Sequence, residues 1–128
     1  MTDPLESVLQ RMGEPSWWIL SVLEPTNGIP GIEIIRRVNA MLAEASYPQT
    51  SLDPSTLHYA LRRMQEEGLV EHRGDRMVEV PGPRGTVRNE SRAVYGITGL
   101  GAQVLAKRLH LNDAMAARAQ GLASGAAL

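Results

Sequence analysis

Apolar residues recur at helical spacing through the first half of this 128-residue chain, and then the period changes. Asp3-Pro4 sets an N-cap before a proline, a helix start where the missing N–H costs nothing. Leu5, Val8, Leu9 and Met12 follow at i, i+3, i+4, i+7 and share one face, until Gly13 and Pro15 break the pattern. Residues 16–24 carry Trp17, Trp18, Ile19, Leu20, Val22 and Leu23, apolar almost all round, which predicts a central buried helix. Pro25-Thr26-Asn27-Gly28-Ile29-Pro30-Gly31 predicts a turn. Over 32–46, Ile35, Val38, Met41, Leu42 and Ala45 form a stripe set apart from Arg36, Arg37 and Glu44. Asp53-Pro54 repeats the cap-and-proline start. Leu57, Ala60, Leu61 and Met64 then mark the inner side of a helix reaching Glu67, and Gly68 ends it.

Beyond Gly68 the spacing predicts short strands over 69–73 and 76–80, joined across Gly74-Asp75. A Pro/Gly loop over 81–85 and a returning strand over 92–97 follow. Thr98 is placed to cap a last helix with Leu100, Val104, Leu105, Leu109 and Leu111 inward, and the small residues of 121–128 read as a frayed tail. No repeat divides the chain, and its length fits one domain.

Composition narrows the function. There is no cysteine, which removes disulfides, thiolate metal sites and thiol nucleophiles. Two Trp, three Tyr and no Phe leave little for the stacking platforms that read single-stranded nucleic acid. No apolar run is long enough to cross a bilayer and no signal-peptide pattern opens the chain, so a cytoplasmic protein is expected. The net charge of −1 hides a gradient. Residues 1–56 hold three arginines against seven acids, residues 57–92 seven arginines against six, and residues 93–128 three bases against Asp113.

Residues 54–70, Pro-Ser-Thr-Leu-His-Tyr-Ala-Leu-Arg-Arg-Met-Gln-Glu-Glu-Gly-Leu-Val, closely resemble the recognition-helix segment of the PadR family, bacterial winged helix-turn-helix transcriptional regulators. Pro30-Gly31-Ile32-Glu33-Ile34 is similar to the family's opening of the preceding helix. Val94-Tyr95-Gly96-Ile97-Thr98-Gly99-Leu100-Gly101 is similar to the strand, threonine cap and glycine that begin its C-terminal helix. The family usually has tyrosine where Ile32 and His58 stand here; Tyr59 is adjacent to the second, but about 100° further round the helix. The resemblance implies a mainly α fold with a small β wing. Residues 1–97 would form a winged helix-turn-helix DNA-binding domain, 98–120 a dimerisation helix and 121–128 a flexible tail. The expected function is binding of palindromic duplex DNA as a homodimer, in the manner of a repressor. A winged helix used only for protein interaction is the rival reading.

Chemistry at these positions agrees. The first turn of the 54–67 helix offers Ser55 and Thr56 to phosphate, together with backbone N–H groups. His58, Tyr59, Arg62 and Arg63 supply longer polar groups, with Ser55, Tyr59, Arg62 and, less well, Arg63 on the outward side. The two arginines would equally suit pairing with Glu66 and Glu67 on a solvated helix. Arg84, Arg88 and Arg92, in and after the Pro/Gly loop, are candidates for phosphates or the minor groove; Arg73 and Arg76 are weaker, being interleaved with acids.

The last helix carries more apolar surface than one small domain covers. A two-fold dimer would bury Leu100, Val104 and Leu111 with Leu5, Val8, Leu9 and Met12; folding back onto the chain's own domain would bury them too. Some PadR relatives hold planar molecules against an aromatic residue of the C-terminal helix, but 98–128 contain no aromatic. Trp17 and Trp18 therefore read as packing, and any effector is unidentified. His58, His72 and His110 fall in no metal or triad motif, so neither an enzyme nor a cofactor is expected.

Overall fold

The computed structural model describes Val8, residues 12–45 and residues 50–126. The elements run α1 (Glu14–Leu23), β1 (Ile29–Pro30), α2 (Gly31–Glu44), α3 (Pro54–Glu66), β2 (Val70–Pro81), β3 (Val87–Ile97) and α4 (Gly99–Ala126). Leu5 and Leu9 of the first predicted stripe lie outside the described residues. Val8 is buried, and Met12 packs against the same core.

The apolar α1 lies at the centre, touching α2, α3 and α4. It buries Trp17, Ile19, Leu20, Val22 and Leu23, and the structure places Trp17 in this core as packing. Ile34, Val38 and Leu42 dock α2 at four-residue intervals, and Leu57, Ala60, Leu61 and Met64 dock α3. The α2–α3 connection is fixed by one amide. Asn39 Oδ1 accepts from the Leu52 N–H at 2.7 Å, its Nδ2 donates to the Leu52 carbonyl at 3.4 Å, and Leu52 is buried.

The sheet departs from the sequence expectation. Gly74-Asp75 is not a turn: β2 runs on through it, with a bulge between His72 and Asp75 and Gly74 at φ 84°. The turn lies at 82–86, closed by Gly82 N–H donating to the Thr86 carbonyl at 2.7 Å. Arg84 and Gly85 have φ 59° and 74°. Gly-Asp inside a strand pattern suits a bulge as well as a turn. Pro83-Arg84-Gly85 closes the chain reversal instead, so β3 starts at Val87 rather than at 92. The segment around Ile29 also pairs, Ile29 with Tyr95 and Pro30 with Val94, giving an antiparallel sheet of order β1-β3-β2.

Thr98 begins α4 as expected. Its Oγ1 donates to the Gly68 carbonyl at 2.6 Å and accepts from the Gly101 N–H at 3.0 Å. A Cβ on Gly101 would overlap the Leu69 carbonyl, so glycine permits this close approach. Only the first turns of α4 are covered. Val104 and Leu105 are buried, and the Arg108 guanidinium lies 4.9 Å from the Trp17 ring centroid. Leu100, Leu109 and Leu111, expected inward, are exposed, as is Met115. The helix leaves the body of the chain at Arg108 and continues to Ala126, past the tail boundary drawn at 120. At 1.5 Å per residue it is roughly 42 Å long. Among the described residues no helix is long and apolar enough to cross a membrane.

Candidate nucleic-acid interface

The outer side of α3 is set by its inner one. With Leu57, Leu61 and Met64 held in the core, Ser55, His58, Tyr59, Arg62 and Arg63 are exposed, while Thr56 is half-buried. At 100° per residue, Arg62 lies about 20° from Ser55, and His58 and Tyr59 flank them. His58 turns to one side, lining a cleft of about 400 Å³ with Val80 and Arg92 of the sheet. Tyr59 and Arg63 turn to the other, lining a groove of about 280 Å³ with Met12, Ser16 and Met64.

Charge on this face is partly committed. Arg63 donates to the Tyr59 hydroxyl at 3.4 Å, and that bond holds its guanidinium pKa above the ordinary arginine value. Arg62 makes no hydrogen bond or ion pair with another described residue. The expected anion seat at the helix start is already filled. Pro54 has no N–H, and the Asp53 carboxylate caps the Thr56 N–H at 2.7 Å. Hydrogen bonds from the Thr56 backbone, then from its side chain, hold the Asp53 carboxyl below its usual value. The first turn therefore presents a carboxylate rather than open N–H groups.

The hairpin of β2 and β3 has two unlike faces. Arg76 opposes Arg92, Val78 opposes Glu90 and Val80 opposes Arg88, so these six share one face. Val80 and Arg92 of this face line the cleft beside His58 together with Ala93 and Tyr95 of the other, so Arg92 is the arginine of this face that the cleft brings beside α3. The other face carries Met77, Glu79, Asn89 and Ser91, without a cation. Arg84 stands exposed at the tip. Arg76, set aside in the sequence as interleaved with acids, thus joins the basic face; alternation along the strand carries that signal once the turn is placed at 83–85. Arg73 is diverted instead. It donates to the Asn27 carbonyl at 2.7 Å and the Ile97 carbonyl at 2.6 Å, and lies against Gly96, where a Cβ would displace it.

Of the residues expected to join a partner, Leu100 and Leu111 are exposed on α4. Val104 is fully buried in the chain's own core and is unavailable to a second copy, because the early turns of α4 pack on α1 and the sheet.

No family model and no curated protein matches the chain. Solved structures do. A PadR-like transcription factor from Bacteroides fragilis is 19% identical over 94% of this chain and 99% of its own, with a TM-score of 0.59. A PadR family transcription regulator from Clostridium difficile is 22% identical over 86% of this chain and 99% of its own, at TM-score 0.53. Bacillus subtilis PadR in complex with operator DNA is 20% identical over 77% of this chain and 48% of its own, at TM-score 0.52. What the chain shares with them is the fold: mainly helical with a small three-stranded antiparallel sheet, the PadR-type winged helix.

Proposed function

We propose that this chain is a PadR-like transcriptional regulator that binds duplex DNA as a homodimer in the cytoplasm and acts by obstructing a promoter. The observation that carries the reading is that the exposed α3 face, with His58 at its side, lies across a cleft from Arg92 of the wing, the β2–β3 hairpin, whose face at Arg92 also bears Arg76 and Arg88. A helix of this kind enters the major groove by its N-terminal part, and a flanking basic hairpin follows the backbone. A structural neighbour solved with operator DNA supports the same use of the fold.

Each residue has a role in this reading. Arg62 and His58 reach base edges, Ser55 meets phosphate by its hydroxyl, Thr56 holds the Asp53 cap, and Tyr59 steadies Arg63 at the rim. Arg84, Arg88 and Arg92 lie along flanking phosphates or enter the minor groove. Residues 1–97 constitute the DNA-binding unit and α4 the dimerisation arm. Leu100, Leu111 and Met115 meet the partner, together with Leu5 and Leu9 of the first stripe, whereas Val8 and Met12 are taken up by the chain's own core. Two α3 helices, roughly 34 Å apart, would then occupy successive major grooves of an inverted repeat. An effector would act only by favouring one helix separation over another.

Selection of bound fragments from random duplex DNA tests this proposal. The expected product is an inverted repeat with half-site centres about one helical turn apart. Recovery of no enriched sequence, or of a single asymmetric site, contradicts it.

A further inference from the structure

Glu90 lies between the arginines of the wing. On β3 its carboxylate takes Arg88 Nη2 at 2.7 Å on one oxygen and Arg92 Nη2 on the other. The alternation of the strand puts residues 88, 90 and 92 on one face, and Arg76 stands across from Arg92 on the same side. Glu90 is about three-quarters covered, its side chain 24% exposed, whereas Arg88 and Arg92 keep 66% and 48%. Between the bulge and the tip it is the only acid on that face of the described hairpin; Glu71, across from Gly96, lies beyond the bulge and is paired with Arg73.

We propose that Glu90 is a built-in counterion that sets how strongly the wing is drawn to phosphate, and so limits binding to DNA of arbitrary sequence. This inference rests on the DNA-binding reading above. Exposed Arg–carboxylate pairs are weak, so phosphate oxygens can displace the arginines from Glu90. Displacement leaves a carboxylate within a few ångströms of the incoming phosphate, and the repulsion remains because the strand fixes its position. The wing gives up part of its non-specific attraction while Arg62, bonded to no acid among the described residues, keeps its charge for the base edges. A near-neutral chain that must find one site among many is served by such a limit, because affinity for any duplex grows with every phosphate neutralised.

Glu90→Gln removes the charge and keeps the size and hydrogen-bonding shape. Glu79→Gln removes the same charge from the opposite face of the hairpin and reports the effect of net charge alone. Binding of each variant to mixed-sequence duplex DNA, followed from low to moderate salt, reads both affinity and slope. Expected for Glu90→Gln is about three- to tenfold tighter binding at low salt, with a log K against log salt slope steeper by about one. Glu79→Gln should stay close to wild type in both, and all three proteins should melt alike.

Equal gains for both variants, or weaker binding by Glu90→Gln at unchanged melting temperature, would overturn the counterion role. The second result would make Glu90 a positioning residue for the two arginines. Wild type that binds no duplex even at low salt removes the DNA-binding reading and this inference together. Wild type that binds, with Glu90→Gln indistinguishable from it, removes this inference alone.

Discussion

Thr98 and Gly68 join the end of α3 to the start of α4: the threonine hydroxyl donates to the glycine carbonyl at 2.6 Å and caps α4 through the Gly101 N–H. One hydroxyl thus satisfies orphan groups of two elements. Thr98→Val keeps the shape and removes both bonds, so chemical denaturation should show a loss of about 1–2 kcal/mol. Thr98→Ser should recover most of it.

Arg73 ties the β1 turn to the end of β3, through the carbonyls of Asn27 and Ile97. Arg73→Ala leaves both acceptors without their partner and should destabilise the chain by about 2–3 kcal/mol. Arg73→Lys, a single flexible donor group in place of a fork, should restore only part. The salt slope of DNA binding should not move in Arg73→Lys, since Arg73 is occupied within the fold.

Asp53 predicts an acid limb in stability. Its folded-state pKa is depressed from the ordinary value of 3.8 by the Thr56 hydrogen bonds. The stabilisation from the charged cap is complete above the unfolded-state pKa and is lost as pH falls through the lower, folded one. Thermal melting from pH 6 downward should therefore fall more steeply for wild type than for Asp53→Asn, whose amide caps without titrating. Parallel profiles would show that the cap contributes no pH dependence.

Leu111 and Met115 sit one turn apart on the part of α4 that leaves the body, and both are exposed. If a second copy covers them, Leu111→Glu with Met115→Glu should shift sedimentation toward monomer. The melting of the winged domain should persist, and affinity for an inverted repeat should drop far more than affinity for a single half-site. A wild-type chain that sediments as monomer at tens of micromolar would remove the dimer from the account.

Arg62 and Arg88 should fail differently. Arg62→Ala should lose about 1–3 kcal/mol on the selected site and little on random duplex, as expected of a base contact. Arg88→Ala should weaken all duplexes about equally and flatten the salt slope by about one. Equal losses on both DNAs for Arg62→Ala would make it a phosphate contact.

The helices were legible because their signals are local. Asp53-Pro54, the stripe Leu57, Ala60, Leu61 and Met64, and the stop at Gly68 lie within sixteen residues and fix both the ends and the outward face of α3. The hairpin was less so. Gly74-Asp75 supports a bulge or a turn equally, and only pairing with a strand some twenty residues away decides between them. That single choice hid the two-faced wing, and with it the place of Arg76 and the role of Glu90. Asn39 and Arg73 were invisible for the same reason: each bonds backbone carbonyls distant in sequence, which no spacing announces. The inward reading of Leu109 and Leu111 failed because α4 outruns the body it packs on.

Binding of the wild-type chain to mixed-sequence duplex DNA across a range of salt concentrations separates a DNA reader from a protein-docking surface. A DNA reader binds measurably at low salt and shows a linear fall of log K with log salt, with a slope set by several neutralised phosphates per bound protein. A flat response, or no binding at low salt, would contradict DNA reading and leave the winged helix as a surface for protein partners.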